Sequence, residues 1–175
     1  LEMLGVPNLT IRPAKGPERA TPGAGPEQTV RELALHKAQE VAQTCAPEDI
    51  VIAADTIVYL DGVILGKPKD TADAARMLAA LSGREHTVYT GVAVLRGGET
   101  RLAAEHTAVR FRTLTPEEIA RYIATGEPMD KAGAYGIQGR GALFVEHLDG
   151  DYFNVMGLPL CRLGQLLNEL GVELL

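Results

Sequence analysis

The stretch from Ile50 to Asp70 reads IVIAADTIVYLDGVILGKPKD, and the rest of the chain is organised around it. Ile50 to Leu60 is rich in β-branched and apolar residues, the mark of a strand buried on both faces. One carboxylate, Asp55, sits in the middle of that run. An ionised acid in an apolar strand is costly unless a cation, a metal or a hydrogen-bond network compensates it. Asp55 is therefore either half of a structural ion pair or part of a site. Asp61-Gly62 then gives a turn, Val63-Ile64-Leu65 a second short strand, and Gly66-Lys67-Pro68 follows. Pro68 biases Lys67 towards extended backbone, which holds its ammonium out on a stem. One hairpin thus carries a buried acid and a presented cation, a pairing suited to chemistry on a phosphate.

A chain of 175 residues fits one domain, or two small lobes sharing a core. With 46% hydrophobic and 23% charged residues it has the composition of a globular protein. The net charge of −6 disfavours a broad nucleic-acid-binding face, but a single nucleotide needs only a local cationic pocket. Cys45 and Cys161 lie in no CxxC pair and no zinc-ligand spacing, so they are expected to be reduced core thiols of a cytoplasmic protein. No apolar run reaches transmembrane length, so no membrane partner is expected. The chain opens on LEMLGVP without an initiator Met, as the last turns of a helix would, with Gly5 as the left-handed cap.

Working outward, Leu9-Thr10-Ile11 fits a short strand, and Ala14 to Pro26 a loop in which Glu18 is the only acid. Pro26-Glu27 opens a helix whose apolar residues Val30, Leu33, Ala34, Ala38 and Val41 form one stripe. Lys37 shares the side of Leu33 and Ala34, where it either snorkels to the edge or points into a cleft. After the hairpin, Asp70 or Thr71 caps a surface helix closed by Ser82-Gly83. Thr87 to Leu95 and Leu102 to Leu114 read as an antiparallel ribbon turning at Gly97-Gly98. Thr115-Pro116-Glu117-Glu118 is a capping box opening the next helix. The segment EPMDKAGAYGIQGRGAL cannot be a helix, with glycines at 133, 136, 139 and 141. It is either a tight crossover or backbone that turns N–H groups towards an anion. A strand over Ala142 to Leu148 and a last, core-facing helix from Leu160 to Leu170 complete the chain. Helices alternating with strands, one ribbon being antiparallel, predict an α/β fold with a mixed sheet flanked by helices.

Two familiar phosphate devices are absent. Gly62 to Pro68 is one residue short of the P-loop spacing and ends in Pro, and no GxGxxG follows a strand and opens a helix. The histidines, His36, His86, His106 and His147, are scattered, and no nucleophilic triad stands out. What remains is three acids (Glu18, Asp55, Asp130), three lysines (Lys37, Lys67, Lys131) and the amide of Gln138. Acids can hold a divalent metal through oxygen and polarise a water, while lysines neutralise phosphates. Hydrolysis of a nucleoside triphosphate needs both.

Taken in order, Glu18 before GPEQTVRELALHKA, AADTIV, GKP, HTVYTGVAV, YIATGEPMDKAGAYGIQG and GDYFNVMGLPL resemble the Maf family of nucleoside-triphosphate pyrophosphatases. The resemblance spans most of the chain. It implies a single domain over residues 1–175, in two lobes around an elongated mixed sheet, with substrate in the cleft between them. It implies cleavage between the α- and β-phosphates, with Mg²⁺ or Mn²⁺, and it suggests a homodimer. By similarity Asp55 accepts the proton of the attacking water, with Glu18 assisting at metal or water. Lys37, Lys67 and Lys131 face the phosphates. Thr56 and Gln138 match positions that sort subfamilies, and Thr with Gln looks like the branch acting on dTTP and UTP, or on modified pyrimidine nucleotides. The family opens with a strand and a Ser-x-Ser-Pro-Arg-Arg type phosphate loop, and this chain is expected to start after it. Two alternatives stand beside this reading: a nucleotide-binding regulatory module linked to cell division, with little catalysis, and a purine-directed pyrophosphatase of similar fold.

Asp55 and Thr56 are adjacent, and a regular strand points neighbours to opposite faces. Both can serve one site only if the strand bulges or ends there. An irregularity is expected at this point, and a smooth ladder would take Thr56 out of the site.

Overall fold

The computed structural model describes residues 1–175. Its frame is a five-stranded sheet in the order β2-β1-β3-β4-β5. β1 spans Val51–Leu60, β2 Val63–Leu65, β3 Glu85–Arg96, β4 Glu99–Phe111 and β5 Val145–Asp149. The α/β character predicted from the sequence holds, but every strand pair is antiparallel where a mixed sheet was expected. Two of the connections are tight turns, at Asp61-Gly62 and Gly97-Gly98, and such turns join only antiparallel neighbours.

Helix α1, Pro26–Ala42, lies on one face of the sheet and buries Val30, Leu33, Ala34 and Ala38, the stripe read from the sequence. Its approach is very close. A Cβ built on Gly91 of β3 would stand 2.1 Å from the carbonyl oxygen of Val30, so the glycine inside the strand is there to admit the helix backbone. Helices α2 (Thr71–Leu81), α3 (Pro116–Ile123), α4 (Tyr152–Val155) and α5 (Leu160–Glu169) complete the molecule. Asp70 caps α2 by accepting from Asp73 N at 2.7 Å. The capping box of α3 is present in both halves, and the Arg112 guanidinium holds the Glu118 carboxyl down to about 2. The largest core cluster joins α2 and α3 to the sheet around Val58, Leu78 and Phe111. A second joins α5 to Val92 and Val94, and a third joins α1 to Val51 and Ala93.

Three local expectations fail. Leu9–Ile11 is coil, because no strand lies alongside to accept its backbone bonds. The expected start of the fifth strand is a 3₁₀ segment, Arg140–Phe144, with pairing delayed to Val145. Of the two expected core thiols, Cys161 is exposed and Cys45 is half-buried, packed against the cluster beneath α1, and both are free. No helix is long and apolar enough to cross a membrane.

Candidate active site

Asp55 points from β1 towards α1, and Lys37 reaches down from three turns along the helix to meet it. The Lys37 ammonium donates to Asp55 Oδ1 and also lies 2.9 Å from Glu18 Oε1. Of the two readings open for Lys37, the structure takes the cleft. The Asp55 side chain is only 9% exposed, against 59% for Glu18. Burial pushes the Asp55 carboxyl above its ordinary value, and the bond from Lys37 offsets only part of that rise. Burial pulls the Lys37 ammonium down, but its bonds to Asp55 and Glu18 outweigh this and leave it above its usual range. The same lysine, through its bond, lowers Glu18. Lys37 is thus charged throughout the range where Asp55 titrates, and Asp55 is a carboxylate of raised basicity.

These three side chains line a cavity of about 580 Å³, a size that takes a nucleotide. Lys67, Asp130, Lys131 and Gln138 line it as well, so every candidate named from the sequence faces one cleft. Lys67 forms no ion pair with any side chain and its ammonium is exposed, as its position before Pro68 predicted. Lys131 bonds Asp130 at 2.9 Å. A larger cavity, 960 Å³, adjoins along Ile50–Ala54 and shares Glu18, Lys37 and Lys67 with the first.

Thr56 requires a correction. The ladder between β1 and β3 runs without a break, pairing Asp55 with Gly91 and Thr56 with Thr90, so the expected irregularity does not occur. The Thr56 hydroxyl lies on the face opposite Asp55, bonded to Thr90 Oγ1 at 2.8 Å, and it packs near Gly157. Thr56 therefore leaves the Asp55 cluster. It still touches the cleft wall, for a reason the sequence did not give: β2 pairs β1 only at residues 58–60, so the edge of β1 from 51 to 57 is free. The cleft wraps around that edge and meets both faces.

The glycine-rich segment does turn N–H groups towards an anion, but that anion belongs to the protein. Glu127 accepts from Arg140 N at 3.0 Å, Gly141 N at 3.2 Å and the Tyr122 hydroxyl at 2.8 Å. Nothing in the sequence assigned Glu127 a role, because an acid beside a turn glycine looks like a solvated loop charge. The usable signal was its place just before a run of glycines whose N–H groups need an acceptor. Sequence reading also passed over His86, which is buried with Nε2 2.8 Å from the Tyr135 hydroxyl and Nδ1 unpartnered.

For a divalent cation, the protein offers two carboxylates, Asp55 and Glu18, converging on one point that the Lys37 ammonium shares. No third His, Cys, Asp or Glu joins them. This donor set fits a hard cation that takes one or two carboxylates and completes its shell with substrate phosphates. It does not fit a cage made by the protein alone.

Known proteins resemble this chain over nearly its whole length. It is 53% identical to the dTTP/UTP pyrophosphatase of Moorella thermoacetica, over 99% of this chain and 89% of that protein. It is 50% identical to the dTTP/UTP pyrophosphatase of Symbiobacterium thermophilum, over 98% and 87%. Over 83% of its length it is 58% identical to the dTTP/UTP pyrophosphatase of a Geobacillus species, strain WCH70. The family model described as Maf-like protein matches residues 1–170, and the chain, with Asp55, Lys37 and the glycine-rich segment gathered at one cleft, belongs to that family.

Proposed function

We propose that this chain hydrolyses dTTP and UTP, or modified pyrimidine relatives, to the nucleoside monophosphate and pyrophosphate. The observation that carries the reading is the Asp55–Lys37 pair: a buried carboxylate of raised basicity, held by one cation in a cleft that presents a second, unpaired one. Asp55 takes a proton from the attacking water, which requires it ionised but basic. Lys67 and Lys131 face the triphosphate and balance the charge that builds on the leaving pyrophosphate. Lys37 keeps Asp55 ionised and reaches the same phosphates. Asp55 and Glu18 would hold Mg²⁺ or Mn²⁺, which neutralises the triphosphate and polarises its phosphoryl oxygens. Gln138, exposed on the cleft wall, meets the base, since an amide can both donate to and accept from a pyrimidine edge. Thr56 has its hydroxyl committed to Thr90 and takes no part in the step at Asp55.

The chain is read as a single domain over residues 1–175, with two lobes about the cleft as the family resemblance implies. The acidic charge and the local, lysine-lined cavity favour a free nucleotide over a nucleic acid polymer. The two free thiols suit action in a reducing cytoplasm. The homodimer follows from the family resemblance alone.

The test is to incubate the protein with Mg²⁺ and a panel of nucleoside triphosphates and to assay pyrophosphate against orthophosphate. Pyrophosphate from dTTP and UTP in preference to purine substrates is the expected result. Orthophosphate would mean attack at the terminal phosphate and would overturn the reading. Thermal stabilisation by nucleotide without product would favour a binding module.

A further inference from the structure

The glycine-rich segment that carries Lys131 and Gln138 into the cleft is held by a carboxylate outside it. We propose that Glu127 is a positioning residue: it locks residues 136–141 in the conformation that sets Gln138 against the substrate base. The inference rests on the reading of Gln138 given above and deepens it.

The lock is built from four contacts. Glu127 Oε2 accepts from Arg140 N, and Oε1 accepts from Gly141 N and from the Tyr122 hydroxyl. The Tyr122 oxygen in turn accepts from Gly136 N at 3.2 Å. One acid and one phenol thus gather N–H groups from both ends of the turn whose middle is Gln138. The glycines are there because the lock leaves no room. A Cβ on Gly139 would fall 2.4 Å from the Glu127 carboxylate, and one on Gly141 would fall 2.8 Å from the Tyr122 oxygen. A Cβ on Gly136 would fall 2.8 Å from the stem of Lys131, so the same turn also seats the lysine facing the phosphates. Gln138 itself makes no hydrogen bond within the protein and is exposed, so its backbone is what fixes its direction. Glu127 is pulled up by its partial burial, but the bonds from Arg140, Tyr122 and Gly141 together hold it below its ordinary value, as an ionised acceptor should be. The anion-gathering geometry of glycine-rich backbone is therefore spent on an internal ligand, and the substrate meets the outer side of the turn.

Glu127 lies outside the group formed by Asp55, Glu18 and Lys37, which predicts a division of effects. The test compares the parent, Glu127→Gln and Gln138→Ala by steady-state kinetics on dTTP, UTP and a purine triphosphate, with melting curves for each. Glu127→Gln keeps the shape but sets an amide donor against a backbone donor. It should raise KM for dTTP by about tenfold, the scale of one charged hydrogen bond, while kcat changes much less. The preference for pyrimidine over purine should shrink towards that of Gln138→Ala. A fall in kcat with KM and base preference intact would overturn the proposal, as would kinetics equal to the parent in a folded variant. Should Glu127→Gln shift the preference while Gln138→Ala does not, Gln138 fails as the base reader and the proposal that the lock serves it is overturned. Absence of pyrophosphate release by the parent would instead defeat the functional reading, and this inference with it. Gly139→Ala gives an independent readout, because its methyl group strikes the lock from the other side and should reproduce the KM effect.

Discussion

With only 9% of its side chain exposed, the Asp55 carboxylate is pushed up by burial, and the bond from Lys37 lying against it holds part of that rise back. The basicity of the proposed base is thus a balance between burial, which raises it, and the ammonium groups of Lys37 and, more weakly, Lys67, which lower it. The sign of a perturbation follows. Lys37→Met removes the stronger lowering influence and leaves burial and Glu18, both of which favour the protonated acid, against only the weaker pull of Lys67. If activity needs ionised Asp55, as proposed, the acidic limb of the rate profile should move to higher pH. A pH series of kcat/KM on the variant checks this. Asp55 and Lys37 were both legible as candidates in the sequence, one as an acid in an apolar strand and the other as a cation on the buried stripe of a helix. Their contact was not, since it depends on how closely helix and sheet approach. Glu127 was illegible for a different reason: its partners are backbone N–H groups, which every residue has and no sequence pattern marks.

That close approach belongs to the elements. Helix α1 meets β3 over Gly91, which pairs across the ladder with Asp55, so the spacing that admits the helix also sets the reach of Lys37. Gly91→Ala places a methyl group against the Val30 carbonyl. The backbone cannot yield as a side-chain end would, so the helix must lift, at a cost of about 3 kcal/mol. Activity should fall further than stability alone explains, because Lys37 lifts with it. Chemical denaturation and turnover at a temperature where the variant is folded test the two effects separately. The helix stripe, the capping box and the Gly97-Gly98 turn were readable because each is a local pattern with a local cause. The irregularity expected at Asp55-Thr56 was argued from strand geometry alone. It failed because the unpaired length of β1 lets one cleft touch both faces, and pairing partners are a property of the whole sheet.

At the scale of the whole molecule, the core ties its stability to pH through His86. Burial lowers this imidazole to about 4 from an ordinary value of 6.5, so it is neutral in the fold and takes up a proton on unfolding. The stability it permits is complete above pH 6.5 and is lost as pH falls from there towards 4. The loss amounts to about 3 kcal/mol, at 1.36 kcal/mol for each unit between those limits. Denaturation midpoints measured across that window should fall steadily, and His86→Phe should flatten the slope whatever it does to absolute stability. His86 also supports Tyr135 beneath the glycine-rich turn, so acid should loosen the cleft before the sheet. The antiparallel order of that sheet and the wrapping of the cleft around β1 emerge only once all five strands are assembled. The alternation of helices and strands announced the class of fold but not its pairing. The central claim is that Asp55 is the base of a pyrophosphate-releasing reaction. The most direct measurement is pyrophosphate release from dTTP by Asp55→Asn, which keeps the shape and removes the base. The account predicts a loss of at least about a hundredfold with the fold intact, and turnover near that of the parent would contradict it.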